Sequence, residues 1–205
     1  GGSAWWRGMT EAGGSRLIAA FARARSEARA VLVGYLPAGY PTAAGAVAAL
    51  RAMADAGVDV VEVGLPYSDP LMDGPTIQAA SERALADGAT PHAIVDALDR
   101  LDAGGVPPVV MTYYNTVHRY GHERFAASLA AAGVAGAIVP DLPREEVGPW
   151  AAAADEAGVE TVLLAAPTGS DDRLARICAR SRGWVYGVGL LGVTGERAEL
   201  ARSAL

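Results

Sequence analysis

Short apolar runs alternate with helical segments along this chain, and that alternation leaves few architectures open. Residues 30–36, 58–63, 109–113, 136–139, 161–165 and 184–188 are dominated by Val, Ile, Leu and Ala and read as buried strands. Between them, apolar residues recur at steps of three and four. Leu17, Ile18, Phe21 and Ala22 follow Ser15 as N-cap, Val47, Leu50 and Met53 follow Thr42, and Ile94, Val95 and Leu98 follow Thr90-Pro91. A further helix runs through Phe125 and Leu129 to Gly133. Consecutive parallel strands need crossover connections, which a helix between each pair supplies. The chain is therefore α/β, either a (β/α) barrel or an open doubly wound sheet. No Gly-x-Gly-x-x-Gly turn follows the first strand, so the dinucleotide-binding fingerprint is absent. Glu62, Tyr113, Asp141 and Tyr186 fall at or just beyond the ends of four different strands, where a barrel gathers its functional groups at one mouth. About six strands are present where a closed barrel has eight. The expectation is a single-domain TIM (β/α)8-type barrel over residues 15–205, lacking the last two βα units in this chain. Residues 1–14 have neither a long apolar core nor a cleavage signature and read as a loose leader or cloning remnant.

One strand carries a charge where a core residue is expected. Glu62 lies inside Val60-Val61-Glu62-Val63-Gly64, and an unpaired buried carboxylate loses hydration worth several kcal/mol. Such a residue needs partners, a raised pKa or a position that solvent reaches. The strand then passes into a Gly- and Pro-rich loop holding Asp69 and Asp73. On the residues alone, Glu62 is as readily a solvated strand-end glutamate as a proton carrier, and Asp73 before Gly74-Pro75 as readily a helix cap. Tyr113 and Tyr186 read as pocket-lining aromatics, and Trp150 and Trp184 as packing residues. His92, His118 and His122 lack metal-ligand spacing and read as surface residues.

Charge and cysteine content narrow the partners. Seventeen Lys and Arg stand against 23 Asp and Glu, with no basic stripe, which argues against nucleic acid or an anionic membrane as partner. No apolar run approaches the roughly 18 residues that span a bilayer. Cys178 is the single cysteine, so an intrachain disulfide and a cysteine metal cage are both excluded, and a reducing cytoplasm is the expected location.

The acidic loop is also a recognisable signature. Glu62-Val63-Gly64-Leu65-Pro66-Tyr67-Ser68-Asp69-Pro70-Leu71-Met72-Asp73-Gly74-Pro75-Thr76-Ile77-Gln78 closely resembles that of the tryptophan synthase α-subunit family, whose members are TIM barrels. Met111-Thr112-Tyr113-Tyr114-Asn115, Pro140-Asp141-Leu142-Pro143 and Gly192-Val193-Thr194-Gly195 extend the resemblance in register from about Leu17 to Gly195. It implies a lyase of tryptophan biosynthesis that cleaves indole-3-glycerol phosphate to indole and glyceraldehyde 3-phosphate. No metal or organic cofactor is implied in this subunit. The implied partner is a β subunit carrying pyridoxal phosphate, in an α2β2 complex.

Carried over residue by residue, the resemblance makes Glu62 the general acid/base and Asp73 the carboxylate that stabilises the indole nitrogen. Tyr35, Met111, Tyr113 and Ile138 line the indole pocket, Tyr186 stands beside the glutamate, and Thr194 and Gly195 lie on a loop that closes over substrate. Pro70, Asn115 and Pro143 fall in loops that contact the β subunit. Two departures accompany these matches. The loop before Gly192 reads Val188-Gly189-Leu190-Leu191 where Ser-Arg is common in the family, and of the phosphate-side residues only Gly195 can be carried over. Two other readings stay open on the residues: a free-standing indole-glycerol-phosphate lyase, and a truncated barrel serving as a binding or regulatory module.

Overall fold

The computed structural model describes residues 15–101 and 103–189, so Thr194, Gly195 and the leader lie outside the described residues. Strands and helices follow one another as α1 (Arg16–Ser26), β1 (Val33–Pro37), α2 (Ala43–Asp55), β2 (Val60–Gly64), α3 (Pro75–Ala86), α4 (Pro91–Leu98) and β3 (Pro108–Met111). The second half continues as α5 (Tyr114–Tyr120), α6 (His122–Ala131), β4 (Gly136–Ile138), α7 (Gly148–Ala157), β5 (Glu160–Ala165), α8 (Asp171–Arg180) and β6 (Val185–Gly187). All five strand pairings are parallel, in the spatial order β1-β2-β3-β4-β5-β6. A doubly wound sheet reverses strand order at a switch point, and here it never reverses, which leaves the barrel architecture.

Curvature follows from how the side chains sort. A flat sheet of six strands spans about 24 Å across. Here one apolar cluster joins Val60, Val109, Ile138 and Val162 with Val33, Leu164 and Trp184 packed on it, collecting side chains from every strand or its immediate start. The sheet is therefore curled into a half-barrel around that cluster. The alternate residues Val61, Val63, Val110, Ala137 and Leu163 face outward into a larger core with Leu50, Ile94, Phe125, Leu129 and Trp150 from the helices. Each such fully buried side chain contributes roughly 1.5–3 kcal/mol by leaving water.

α1 closes the N-terminal end of the half-barrel. The Ser15 hydroxyl accepts from the Ile18 N–H at 3.0 Å, and Leu17 is fully buried in the inner cluster. A side chain on Gly136 or Gly183 would collide with Leu17, at 3.0 and 2.9 Å from its Cδ1. At the same end Asp59 is 1 % exposed yet fully paired. It accepts from Arg29 at 2.6 and 2.8 Å, from Arg23 at 3.1 Å and from the Leu32 N–H at 2.9 Å. The Arg29 guanidinium holds this carboxyl well below the usual carboxylate range.

Three local readings shift. The helix expected through Phe125 and Leu129 is α6, and a further short helix, α5, precedes it, parted from it at Gly121, whose φ of 91° is a left-handed conformation that glycine adopts without strain. β1 runs over residues 33–37 where 30–36 is expected, so Pro37 lies inside it: among the described residues β1 pairs with β2 alone, and the missing N–H leaves no ladder bond open. In α2 the fully buried stripe is Ala46 and Leu50, with Val47 and Met53 only partly covered.

Candidate active site

The pleat decides which side chains enter the half-barrel. Val60 and Val109 lie in the inner cluster while their chain neighbours lie in the outer core, so Glu62 and Met111, two residues further along, project inward. The same alternation turns Tyr35, Ile138, Leu164 and Tyr186 inward. Tyr35 pairs with Glu62, Met111 with Ile138 and Leu164 with Tyr186 across the ladders. Five residues expected at the site, Tyr35, Glu62, Met111, Ile138 and Tyr186, thus share one concave face. Leu164 joins them, and the period-two step from Val162 would have identified it.

Glu62 is partly buried, and desolvation pushes its carboxyl up to about 7. The neighbouring phenols register the same field. Burial raises the Tyr186 hydroxyl, and the charge of Glu62 raises it further. Tyr35 is raised by burial first, then by the charges of Asp73 and Glu62, so one phenol stands within electrostatic reach of both carboxylates. Tyr35 also occupies the space that a side chain at Gly64 would take.

Asp73 is presented to this mouth by the loop between β2 and α3. The loop leaves the ladder after Leu65, whose N–H still donates to the Met111 carbonyl at 2.9 Å. α3 begins at Pro75 with Gly74 as its N-cap and no side-chain cap, so Asp73 does not serve as the helix cap. Its carbonyl accepts from Gln78 Nε2 at 2.8 Å, and its carboxylate accepts from the Tyr113 hydroxyl. Burial raises the Asp73 carboxyl, and the Tyr113 bond pulls it back by favouring the charged form. Tyr113 itself is 1 % exposed, and its phenolic oxygen accepts from the Met72 N–H at 3.2 Å. Expected as pocket lining at a strand end, it lies just beyond β3 as the N-cap of α5, with its oxygen turned to the acidic loop.

The rim residues lie on the outside of the same mouth. Asn115 and Pro143 are exposed and Pro70 is partly covered. The Asn115 amide donates to the Tyr67 hydroxyl at 3.2 Å, and the Tyr67 ring stacks on that of Tyr113 with centroids 5.2 Å apart. Asp141 has a structural task here, since its Oδ1 accepts from the Tyr114 N–H at 2.8 Å and ties the loop after β4 to the start of α5. A cavity of about 640 Å³ opens between the loops after β4 and β5, lined by Met72, Pro143, Leu164 and Ile177 among others. Neither Glu62 nor Asp73 is among the residues that line it.

Among the described residues no three His, Cys, Asp or Glu side chains converge as metal ligands. His122 is half-buried with its Nε2 3.1 Å from the Tyr114 hydroxyl, whereas His92 and His118 lie at the surface as expected. No described helix is long and apolar enough to cross a membrane.

Comparison with known proteins agrees with this geometry. Residues 21–204 match the family model described as tryptophan synthase alpha chain. The chain is 50 % identical to the tryptophan synthase alpha chain of Thermobifida fusca, covering 89 % of this chain and 68 % of that protein. It is 48 % identical to that of Nocardia farcinica, over 93 % and 71 % of the two chains. Among solved structures, Mycobacterium tuberculosis tryptophan synthase superposes with a TM-score of 0.85 at 46 % identity, over 90 % of this chain and 72 % of that one. The Legionella pneumophila tryptophan synthase alpha chain superposes with a TM-score of 0.81 at 30 % identity, over 85 % and 66 %.

Proposed function

The chain belongs to the tryptophan synthase alpha chain family, and from that premise we propose that its mouth cleaves indole-3-glycerol phosphate to indole and glyceraldehyde 3-phosphate with Glu62 and Asp73 as the reacting pair. One observation carries this reading. A carboxyl group that burial pushes up to about 7, and a second, partly buried carboxylate whose rise a neighbouring phenol opposes, both act on one phenolic neighbour, Tyr35.

The reaction needs both states. Indole leaves poorly as a carbanion, so its C3 must be protonated before the carbon–carbon bond breaks. Protonated Glu62 gives its proton to C3, and positive charge develops on the ring nitrogen. Asp73, accepting the ring N–H, stabilises that charge in a partly dehydrated site where a fixed anion acts strongly. The Glu62 carboxylate then takes the proton of the hydroxyl next to the breaking bond. The bond's electron pair returns to the ring, the hydroxyl carbon becomes the aldehyde, and Glu62 is protonated again. A group with a pKa near the working pH suits both halves of this shuttle, which is typically worth roughly 100- to 10,000-fold.

Tyr35, Met111, Tyr113 and Ile138 form the walls against the indole ring, and Tyr186 flanks Glu62. Thr194 and Gly195, outside the described residues, are assigned to substrate binding, Gly195 on the phosphate side. Pro70, Asn115 and Pro143 form part of the surface that meets a β subunit, which holds pyridoxal phosphate and consumes the indole. No step assigned to this chain calls on a cofactor.

The test is indole release from indole-3-glycerol phosphate by the intact protein with β subunit present, alongside Glu62→Gln and Asp73→Asn. Both variants are expected to lose at least about a hundredfold in kcat. A parent no faster than either variant sinks the assignment.

A further inference from the structure

The acidic loop must hold Asp73 still while much of it faces water. Leu71 is 70 % exposed, and Ser68 and Asp69 are exposed and hydrogen-bonded to each other at 2.6 Å. Two consecutive loop residues nevertheless converge on one fixed atom, the Tyr113 phenolic oxygen, which accepts from the Met72 N–H and donates to the Asp73 carboxylate. Tyr113 is well placed to be that fixed point. Its side chain is buried, and the preceding residue, Thr112, bonds through its N–H to the Ile138 carbonyl at 3.0 Å. Its ring is braced from outside by the Tyr67 ring at 5.2 Å and 29°, and the Tyr67 hydroxyl takes the Asn115 amide at 3.2 Å.

We propose that Tyr113 is the positioning residue for Asp73, and that Tyr67 and Asn115 set its ring from the rim, so that the three side chains form a strut from the exposed surface to the acidic loop. The inference rests on Asp73 acting at the ring nitrogen as proposed above. The strut has a chemical consequence as well as a geometric one. The Tyr113 hydroxyl favours the charged carboxylate, so it sets both where Asp73 stands and how readily it ionises. The outer end of the strut, Asn115, is exposed beside the surface proposed to meet the β subunit, so whatever docks there bears on the orientation of Tyr67 and, through the stack, on Asp73.

The test is indole release by the intact protein saturated with β subunit, measured as kcat, KM and pH profile. Tyr113→Phe keeps the ring and its packing, and is expected to lower kcat about ten- to hundredfold with KM changed less than about threefold. The acid limb of its profile is expected to move to higher pH, because Asp73 has lost a donor. Tyr67→Phe keeps the stack but loses the bond from Asn115. It and Asn115→Ala are each expected to give a smaller loss of kcat, with the double variant no worse than either single one. Tyr67→Leu removes the stack, and is expected to fall between Tyr67→Phe and Tyr113→Phe with an unaltered melting temperature. A Tyr113→Phe variant that raises KM while kcat and the acid limb stay put leaves Tyr113 a pocket wall and nothing more and overturns the proposal, as do additive effects of Tyr67→Phe and Asn115→Ala. A parent protein that releases no indole overturns the functional reading and this inference with it, whereas an active parent with an unaffected Tyr113→Phe variant overturns the inference alone.

Discussion

Gly64 and Tyr35 share one space inside the half-barrel. A Cβ built on Gly64 lies 2.9 Å from Cε2 and Cζ of Tyr35, and its hydroxyl is closer still. The tyrosine at the mouth of β1 can point inward beside Glu62 because the next strand carries no side chain there.

Gly64→Ala is therefore expected to displace Tyr35, at a cost of about 1–3 kcal/mol for overpacking. Thermal unfolding checks it: the single variant melts lower than the parent, and Tyr35→Leu in the same background recovers most of the loss. An unchanged melting temperature in the single variant would show that the phenol moves aside freely.

The two carboxylates give the reaction a bell-shaped dependence on pH. Glu62 must begin protonated, so kcat/KM falls as pH rises through about 7. Asp73 must be charged, and burial raises its carboxyl, so activity falls again in acid, at a higher pH than an ordinary aspartate would give. The kcat/KM profile of the intact protein tests both limbs; a rate that stays flat from pH 6 to 9 would remove Glu62 from the role of initial acid.

The same desolvation of Glu62 works against the fold. A carboxyl whose pKa is raised by folding favours the native state only while protonated, so its stability contribution is complete below the unfolded pKa and is lost as pH rises through about 7. Glu62→Gln is accordingly expected to be the more stable protein at pH 8, by at most about 3 kcal/mol, and equal to the parent near pH 4. Denaturant titrations at the two pH values decide it.

Asp59 predicts the opposite slope. Its folded pKa lies below the unfolded one, so its contribution is present above about pH 4 and is lost as pH falls through the folded value. Asp59→Asn loses the charge that Arg23 and Arg29 address and is expected to cost about 1–3 kcal/mol at neutral pH. The gap between variant and parent should narrow in acid, and a constant gap in acid titrations would remove the ion pairs from the explanation.

What could be read from the residues was whatever repeats or carries a local rule. Strand alternation and the caps at Ser15, Thr42 and Thr90 followed from period and capping chemistry, whereas Tyr35, Met111 and Ile138 came with the family resemblance. What escaped reading depends on distance in sequence. Tyr67 is an unremarkable loop residue until Asn115, 48 positions away, reaches its hydroxyl. Tyr113 reads as a wall because an aromatic at a strand end usually is one, and only the folded loop brings Met72 and Asp73 onto its oxygen. The short helix α5 is not legible for a different reason: among its seven residues only Val117 is buried, so it carries no apolar stripe.

Asp59 and Glu62 stand three residues apart, the first just before β2 and the second at its centre, and their surroundings drive them in opposite directions. The first surrenders its charge only in strong acid, and the second exchanges its proton near neutrality. The two titrations do not overlap, so a proton can come and go at the mouth without disturbing the ion pairs that anchor the base. A single strand is in this sense electrically insulated from its own working end, and acidity can tune turnover across the physiological range while the clamp beneath it stays shut.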